Sequence, residues 1–137
     1  AESSGDLVST VTSLLTLPEN NDFKEEALRV IKRENGGQLL IDAIKSTDKN
    51  IATLVAACWE SEVDFSKELL FFVSLALGND DLISIEAITV ISTMAGPFNK
   101  DEVDKAIADV RIKIKKSEGV QLILLNDLLN TLLTFLQ

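Results

Sequence analysis

One apolar motif returns along the chain at a constant step of thirty residues. Residues 25–32 read EEALRVIK and residues 85–92 read IEAITVIS, and VAACWESE at 55–62 lies midway between them. The step superimposes three alanines, Ala27, Ala57 and Ala87. A repeat at fixed spacing is typical of folds that stack one supersecondary unit on the next, because each unit lacks cover for one of its faces. The motif therefore indicates a repeated structural element rather than an active site.

Apolar side chains recur at intervals of three and four residues in eight segments, the spacing that places them on one face of a helix. These stripes are Leu7, Val11, Leu14 and Leu15; Phe23, Ala27, Val30 and Ile31; Leu40, Ile41 and Ile44; Ile51, Leu54, Val55 and Cys58; Leu69, Phe72, Val73 and Ala76; Ile85, Ile88 and Ile91; Val103, Ile107, Val110 and Ile114; Leu122, Leu125, Leu129, Leu132 and Leu136. The sequence therefore predicts an all-α protein with more than about 70% helix and no sheet.

Residues with turn and capping preferences separate the eight segments. The candidate N-terminal capping and first-turn residues are Ser3 or Ser4, Asp22, Asp48, and Asp80 or Asp81. The candidate stop signals are Pro18, then Asn35, Gly36 and Gly37, and then Gly96 with Pro97. The connections between helices are consequently short, which favours four consecutive antiparallel helix pairs.

Two segments allow a second interpretation. VRIKIK at 110–115 alternates as a strand does, but the longer stripe from Val103 to Ile114 is helical and should prevail. The apolar segment at 120–137 invites a membrane interpretation. However, its polar residues share one helical face, and a polar face is costly in hydrocarbon. These residues are Asn126, Asp127, Asn130, Thr134 and Gln137. We therefore expect a packed terminal helix.

The repeated segments EEALRVI, VAACWES and IEAITVI resemble the HEAT and armadillo-like α-solenoid families. The resemblance covers residues 5–95, and residues 100–136 fit it as one more helix pair. It implies a right-handed α-solenoid of about four antiparallel helix pairs that forms a single helical-repeat domain over residues 1–137. It also implies a protein that binds other proteins rather than one that catalyses a reaction.

The sequence lacks the motifs of the common enzyme and metal sites. Without histidine it has no Ser-His-Asp or Cys-His arrangement and no HExxH zinc motif, and one cysteine cannot build a structural zinc site. No phosphate-binding glycine loop is present either. Cys58 lies on an apolar stripe, where a core thiol is expected. The basic cluster of Arg111, Lys113, Lys115 and Lys116 lacks interleaved aromatics and is expected to be a solvated helix end. We expect no enzyme activity, no cofactor and no metal.

The net charge of −9 is unevenly distributed. Residues 1–99 carry 16 acidic and 7 basic side chains, whereas residues 100–137 carry six of each. Such a field repels nucleic acid and anionic membranes and favours a basic protein or peptide, unless it serves only solubility. A single cysteine is compatible with a reducing compartment, so we expect a cytoplasmic protein.

Trp59 is the candidate anchor of a partner-contact surface. The thirty-residue step places it level with Arg29 and Thr89, two polar residues, which suggests a solvent-facing position. Glu60 and Glu62 border it, so an aromatic and two carboxylates would meet a partner together. We expect a non-enzymatic protein-interaction or scaffold module. The alternatives are a structural, self-associating helical domain and a carrier that holds a small molecule between its helices.

Overall fold

The computed structural model describes residues 4–137 of the chain and gives side chains from Leu7 onward. The α-helices are α1 Ser4–Leu15, α2 Asp22–Arg33, α3 Gly37–Ser46, α4 Ile51–Glu60, α5 Leu69–Ala76, α6 Asp81–Ser92, α7 Lys100–Ile114 and α8 Gly119–Thr134. A short 3₁₀ helix, Ser66–Glu68, precedes α5. Helices make up 73% of the described residues, which include no strand. The all-α prediction is confirmed.

Side-chain caps begin three of these helices. The Asn21 side chain accepts from the Phe23 and Lys24 amides, the Asp80 side chain accepts from the Ile83 amide, and Asn99 caps α7 in the same manner as Asn21. These bonds satisfy amides that have no partner within a helix. Asp80 was predicted as a cap, and Asp22 and Asp81 lie in first turns.

The N-cap predicted for α4 is wrong. Its N-cap is Asn50 rather than Asp48, and Asn50 adopts a left-handed conformation with φ of 58° and no side-chain capping bond. Asparagine tolerates this conformation better than most residues. The predicted capping by Ser3 or the Ser4 side chain lies outside the described residues.

The two ambiguous segments are both helical. Residues 110–114 continue α7, because Val103, Ala106, Ile107 and Val110 are buried on one side of that helix. Four of the five predicted polar residues lie in α8 and Gln137 follows it; all five are exposed, while Leu125, Leu128 and Leu132 are buried. Within the described part of the chain no helix is both long enough and apolar enough to cross a membrane.

The packing divides the chain into two compact units, Ala1–Asp64 and Phe65–Gln137. The assignment of residues 1–137 to a single domain stays a prediction. In the first unit α1 packs against α2, α3 and α4, and α3 also packs against α4. Its core is formed by fully buried aliphatic side chains from three of these helices: Leu15, Leu40, Leu54, Val55 and Ala57.

In the second unit α5 packs against α6 and α7, and α8 packs against α6 and α7. Phe72, Val103 and Leu125 are among its fully buried residues. The buried Ser84 hydroxyl donates to the Ala76 carbonyl over 2.8 Å. Because Ala76 is the last residue of α5, its carbonyl has no partner in its own helix, and Ser84 provides one from α6.

The apolar stripe predicted for α2 is only partly correct. Ile31 is buried, but Phe23 is 71% exposed, and the neighbouring Lys24 is only 3% exposed. Lysine can place its aliphatic stem on an apolar surface while its ammonium group remains near water. The face that α2 turns inward is therefore centred on Lys24, Leu28 and Ile31, about one residue away from the predicted stripe.

Candidate functional site

A groove of about 300 Å³ in the first unit lies between α2 and the end of α4. Charged and polar side chains form most of its lining, and Leu28 contributes an apolar wall: the lining residues are Glu25, Leu28, Arg29, Lys32, Glu60, Ser61 and Glu62. Three of the predicted contact residues, Arg29, Glu60 and Glu62, are among them. We call this feature the α2–α4 groove.

The periodicity of α2 brings its four lining residues to one side of the helix, because residues three and four apart are neighbours. On that side the Arg29 guanidinium donates to the Glu26 carboxylate through Nε at 3.1 Å and Nη2 at 2.7 Å. This hydrogen bond and the negative charge of Glu26 raise the pKa of Arg29, which holds its charge in any case. The guanidinium therefore already has a carboxylate partner.

The opposite wall is formed where α4 ends. Ser61 is buried and donates to the Cys58 carbonyl at 3.1 Å, and Glu62 follows with a positive φ of 61°. That turn directs the Glu62 carboxylate toward α2, where the Lys32 ammonium group donates to it. The hydrogen bond from Lys32 lowers the pKa of Glu62. The Glu62 carboxylate is therefore charged at neutral pH.

Trp59 lies in the last turn of α4, directly before the groove-lining Glu60. Its side chain is 37% exposed, whereas Leu54, Val55 and Cys58 on the same helix are fully buried. The indole ring thus sits at the flank of the α4 stripe, with part of its surface in the core and part accessible. Partial exposure agrees with the placement inferred from the thirty-residue step.

Thr89, the fifth predicted contact residue, belongs to α6 of the second unit. It is partly exposed, and its hydroxyl donates to the Ile85 carbonyl at 2.9 Å. The structure therefore brings Arg29, Glu60 and Glu62 together at one groove, places Trp59 beside Glu60 in α4, and shows Thr89 as part of the other unit.

Sequence reasoning missed Glu25, Leu28, Lys32 and Ser61 as lining residues. A signal for one of them was present, because Lys32 and Glu62 are separated by the same thirty-residue step as the repeated alanines and carry opposite charges. Leu28 and Ser61 gave no such signal. Their positions depend on how α2 meets the end of α4, which no local pattern specifies.

A second groove in the first unit, of about 570 Å³, lies between α1 and α3. Several hydroxyl groups line it, and those of Thr12 and Ser46 are bonded to nearby backbone. Thr12 donates to the Val8 carbonyl at 2.8 Å, and Ser46 donates to the Asp42 carbonyl at 2.6 Å. Hydroxyl groups already engaged with the backbone offer less to a ligand. This groove is a weaker candidate than the α2–α4 groove.

Two residues that could serve catalysis or ligand binding, Cys58 and Lys113, make contacts within the protein. Cys58 is fully buried, its thiol points back to the Leu54 carbonyl at 3.6 Å, and burial raises the pKa of the thiol. A protonated, inaccessible thiol is a poor nucleophile. Lys113, in the basic cluster, donates to Asn79 at 3.2 Å. Among the described residues, no group of three or more acidic or cysteine side chains is arranged to hold a metal ion.

Comparisons of the chain with protein-family models, with curated proteins and with solved structures found no match. The features shown by the described residues are an all-α fold, a charged groove between α2 and the end of α4, and a partly exposed tryptophan in α4.

Proposed function

We propose that this protein is a non-enzymatic protein-interaction or scaffold module, and that it contacts its partner through the α2–α4 groove and Trp59. The observation that carries the proposal is that Trp59, the residue before the groove-lining Glu60 in the sequence, is partly exposed. Aromatic side chains flanked by charge are frequent anchors of protein interfaces, because they contribute large contact area and a polar edge together.

The proposed architecture is a right-handed, HEAT/armadillo-like α-solenoid of about four antiparallel helix pairs. Its support is the contact pattern within each unit. Consecutive helices pack as α1 with α2, α3 with α4, α5 with α6 and α7 with α8, and the first helices of successive pairs also touch, as α1 with α3 and α5 with α7. Stacked helix pairs require contacts of both kinds.

The charges of the groove favour a partner with basic residues. Glu25, Glu60 and Glu62 contribute three carboxylates, whereas Arg29 and Lys32 contribute two cations that already have carboxylate partners in Glu26 and Glu62. A lysine or arginine from a partner would meet Glu25, and its aliphatic stem would lie on Leu28. A cytoplasmic location is part of this proposal, in keeping with the lone buried cysteine.

A displayed library of random peptides, selected against the purified chain, tests the proposal. We expect the selected peptides to combine an aromatic or aliphatic residue with lysine or arginine. Their affinity should fall about tenfold or more in Glu25→Lys, because charge reversal places repulsion in the groove. The matched control is Glu118→Lys, which reverses an exposed carboxylate at the N-cap of α8.

Two outcomes would contradict the proposal. One is a failure to select any peptide that binds more tightly than about 100 μM, which is weak even for a transient contact. The other is equal weakening by the two charge reversals, which would show that only the net charge of the protein matters.

A further inference from the structure

A second apolar feature of α2 lies on the side of the helix away from the α2–α4 groove. Phe23, Ala27 and Val30 follow one another at intervals of four and three residues, so they share one face. Phe23 is 71% exposed, and Ala27 and Val30 are partly exposed. We call these three residues the α2 stripe. They form a continuous apolar strip along about two turns of helix.

The same strip exists in α6 in covered form. Two steps of thirty residues superimpose Phe23 on Ile83, Ala27 on Ala87 and Val30 on Val90. In α6 both Ala87 and Val90 are fully buried, and Ile83 is partly buried. A strip with the same spacing and apolar character is therefore mostly buried in α6 and partly or largely exposed in α2. The α2 stripe thus has the residues of a packing face but is not buried.

The charges beside the α2 stripe indicate which occupant suits it. Glu19 precedes the helix, and Asp22 and Glu26 flank Phe23 on the solvent side; all three are exposed. Glu26 holds Arg29, while Arg33 pairs with Glu34 at the far end of the helix. The end of the stripe that bears the large aromatic ring is thus bordered by acids.

We propose that the α2 stripe is a docking face for an amphipathic helix of a partner protein that carries lysine or arginine beside its apolar face. Phe23 enters the apolar face of that helix, and the basic residues lie against Glu19, Asp22 and Glu26. A second copy of this chain fits poorly, because it would bring the same acids together and would join two molecules that each carry a net charge of −9.

The size of the α2 stripe limits the affinity that we expect for a partner helix. A phenylalanine buries about 150–250 Å² when fully covered, whereas a stable interface removes about 800 Å² from each partner. The stripe is therefore the anchor of a larger contact, and a single helix laid on it binds in the micromolar range. Loss of the central aromatic from such an anchor reduces affinity about tenfold or more.

The probe for the test is a synthetic helical peptide of about five turns, with leucines along one face and lysines next to them, together with a version in which glutamates replace the lysines. Binding to the whole chain is followed by calorimetry. We expect the lysine peptide to bind, the glutamate peptide to bind at least tenfold more weakly, and Phe23→Ala to weaken the lysine peptide about tenfold.

Leu82→Ala is the matched control, because Leu82 is 67% exposed and also lies in the first turn of a helix. It should change the affinity less than twofold. Glu62→Gln, in the α2–α4 groove, should also leave this peptide bound, so failure of the groove proposal and failure of this one are distinguishable. Because Phe23 is largely exposed, its truncation should leave the melting temperature nearly unchanged.

Three results would overturn the inference. The first is the absence of binding by the lysine peptide at about 1 mM. The second is equal weakening by Phe23→Ala and Leu82→Ala, which would show nonspecific adsorption. The third is dimerisation of the free chain, seen by sedimentation and abolished by Phe23→Ala, which would assign the stripe to a second copy.

Discussion

The Lys32 ammonium group donates to the Glu62 carboxylate across the α2–α4 groove and joins two residues separated by one thirty-residue step. The other ion pairs that the structure shows among the described residues join neighbours or residues within one helical turn. Lys32 and Glu62 therefore form an ion pair between α2 and the turn after α4. Both side chains are largely exposed, so salt should weaken the pair.

The pKa of Glu62 should be lower in the native protein than in Lys32→Gln, because the variant removes the donor that stabilises the carboxylate. A carboxyl group with a lowered folded-state pKa stabilises the fold above its unfolded pKa, and that contribution is lost as pH falls through the folded value. Carbon-detected NMR titration measures the shift. Arg29→Gln is the control, since Arg29 pairs with Glu26. An unchanged Glu62 titration in Lys32→Gln would show that the pair is absent in solution.

Trp59 should show intermediate fluorescence behaviour. Because 37% of its surface is accessible, we expect emission between the wavelengths of buried and free indole and partial quenching by acrylamide. Binding of a peptide at the α2–α4 groove should reduce the quenching. An emission that is blue and fully protected before any peptide is added would place the ring in the core and remove it from the contact surface.

Ala57 and Ala87 should not tolerate larger side chains. Both are fully buried at equivalent positions of the repeat, and added methylenes in a packed interior force side chains and backbone to move. We expect Ala57→Leu and Ala87→Leu each to lower the free energy of unfolding by about 1–3 kcal/mol in urea titrations. Ala108→Leu, at an exposed position of α7, is the control. A loss of only a few tenths of a kcal/mol at the buried sites would show that these alanines do not mark close helix contacts.

Ser84→Ala should destabilise the second unit. The substitution removes the hydroxyl that donates to the Ala76 carbonyl and leaves a buried acceptor at the end of α5, at a cost of about 1–3 kcal/mol. Ser92→Ala is the matched control, because Ser92 is exposed and its hydroxyl donates to the Thr89 carbonyl within the same helix. Thermal unfolding of the two variants compares them directly, and equal melting temperatures would contradict the capping role of Ser84.

Cys58 should resist thiol reagents in the native state. Its side chain is fully buried and burial raises the pKa of the thiol, so the reactive thiolate is scarce and out of reach. We expect labelling by a disulfide reagent only after unfolding, at the rate at which urea exposes the chain. Rapid labelling without urea would mean that α4 opens readily, and it would return Cys58 to the list of candidate nucleophiles.

Local sequence patterns determined the helices of this protein. The three-and-four spacing of apolar residues identified all eight, including α7, where the longer stripe correctly outweighed the alternation of VRIKIK. Asp80 and the polar face of α8 were also foreseen, since caps and faces depend on residues within a few positions of one another. The partial exposure of Trp59 followed from the repeat.

The tertiary structure decided which part of each face is covered. Periodicity places Phe23 with Ala27 and Val30, but only the neighbouring helices determine that Lys24 is turned inward and Phe23 outward. The α2–α4 groove likewise depends on the meeting of two segments thirty residues apart, where Ser61 is buried and Glu62 turns toward Lys32. The physical reason is that the backbone of a helix fixes the direction of a side chain relative to its own axis, whereas burial depends on the position of other helices.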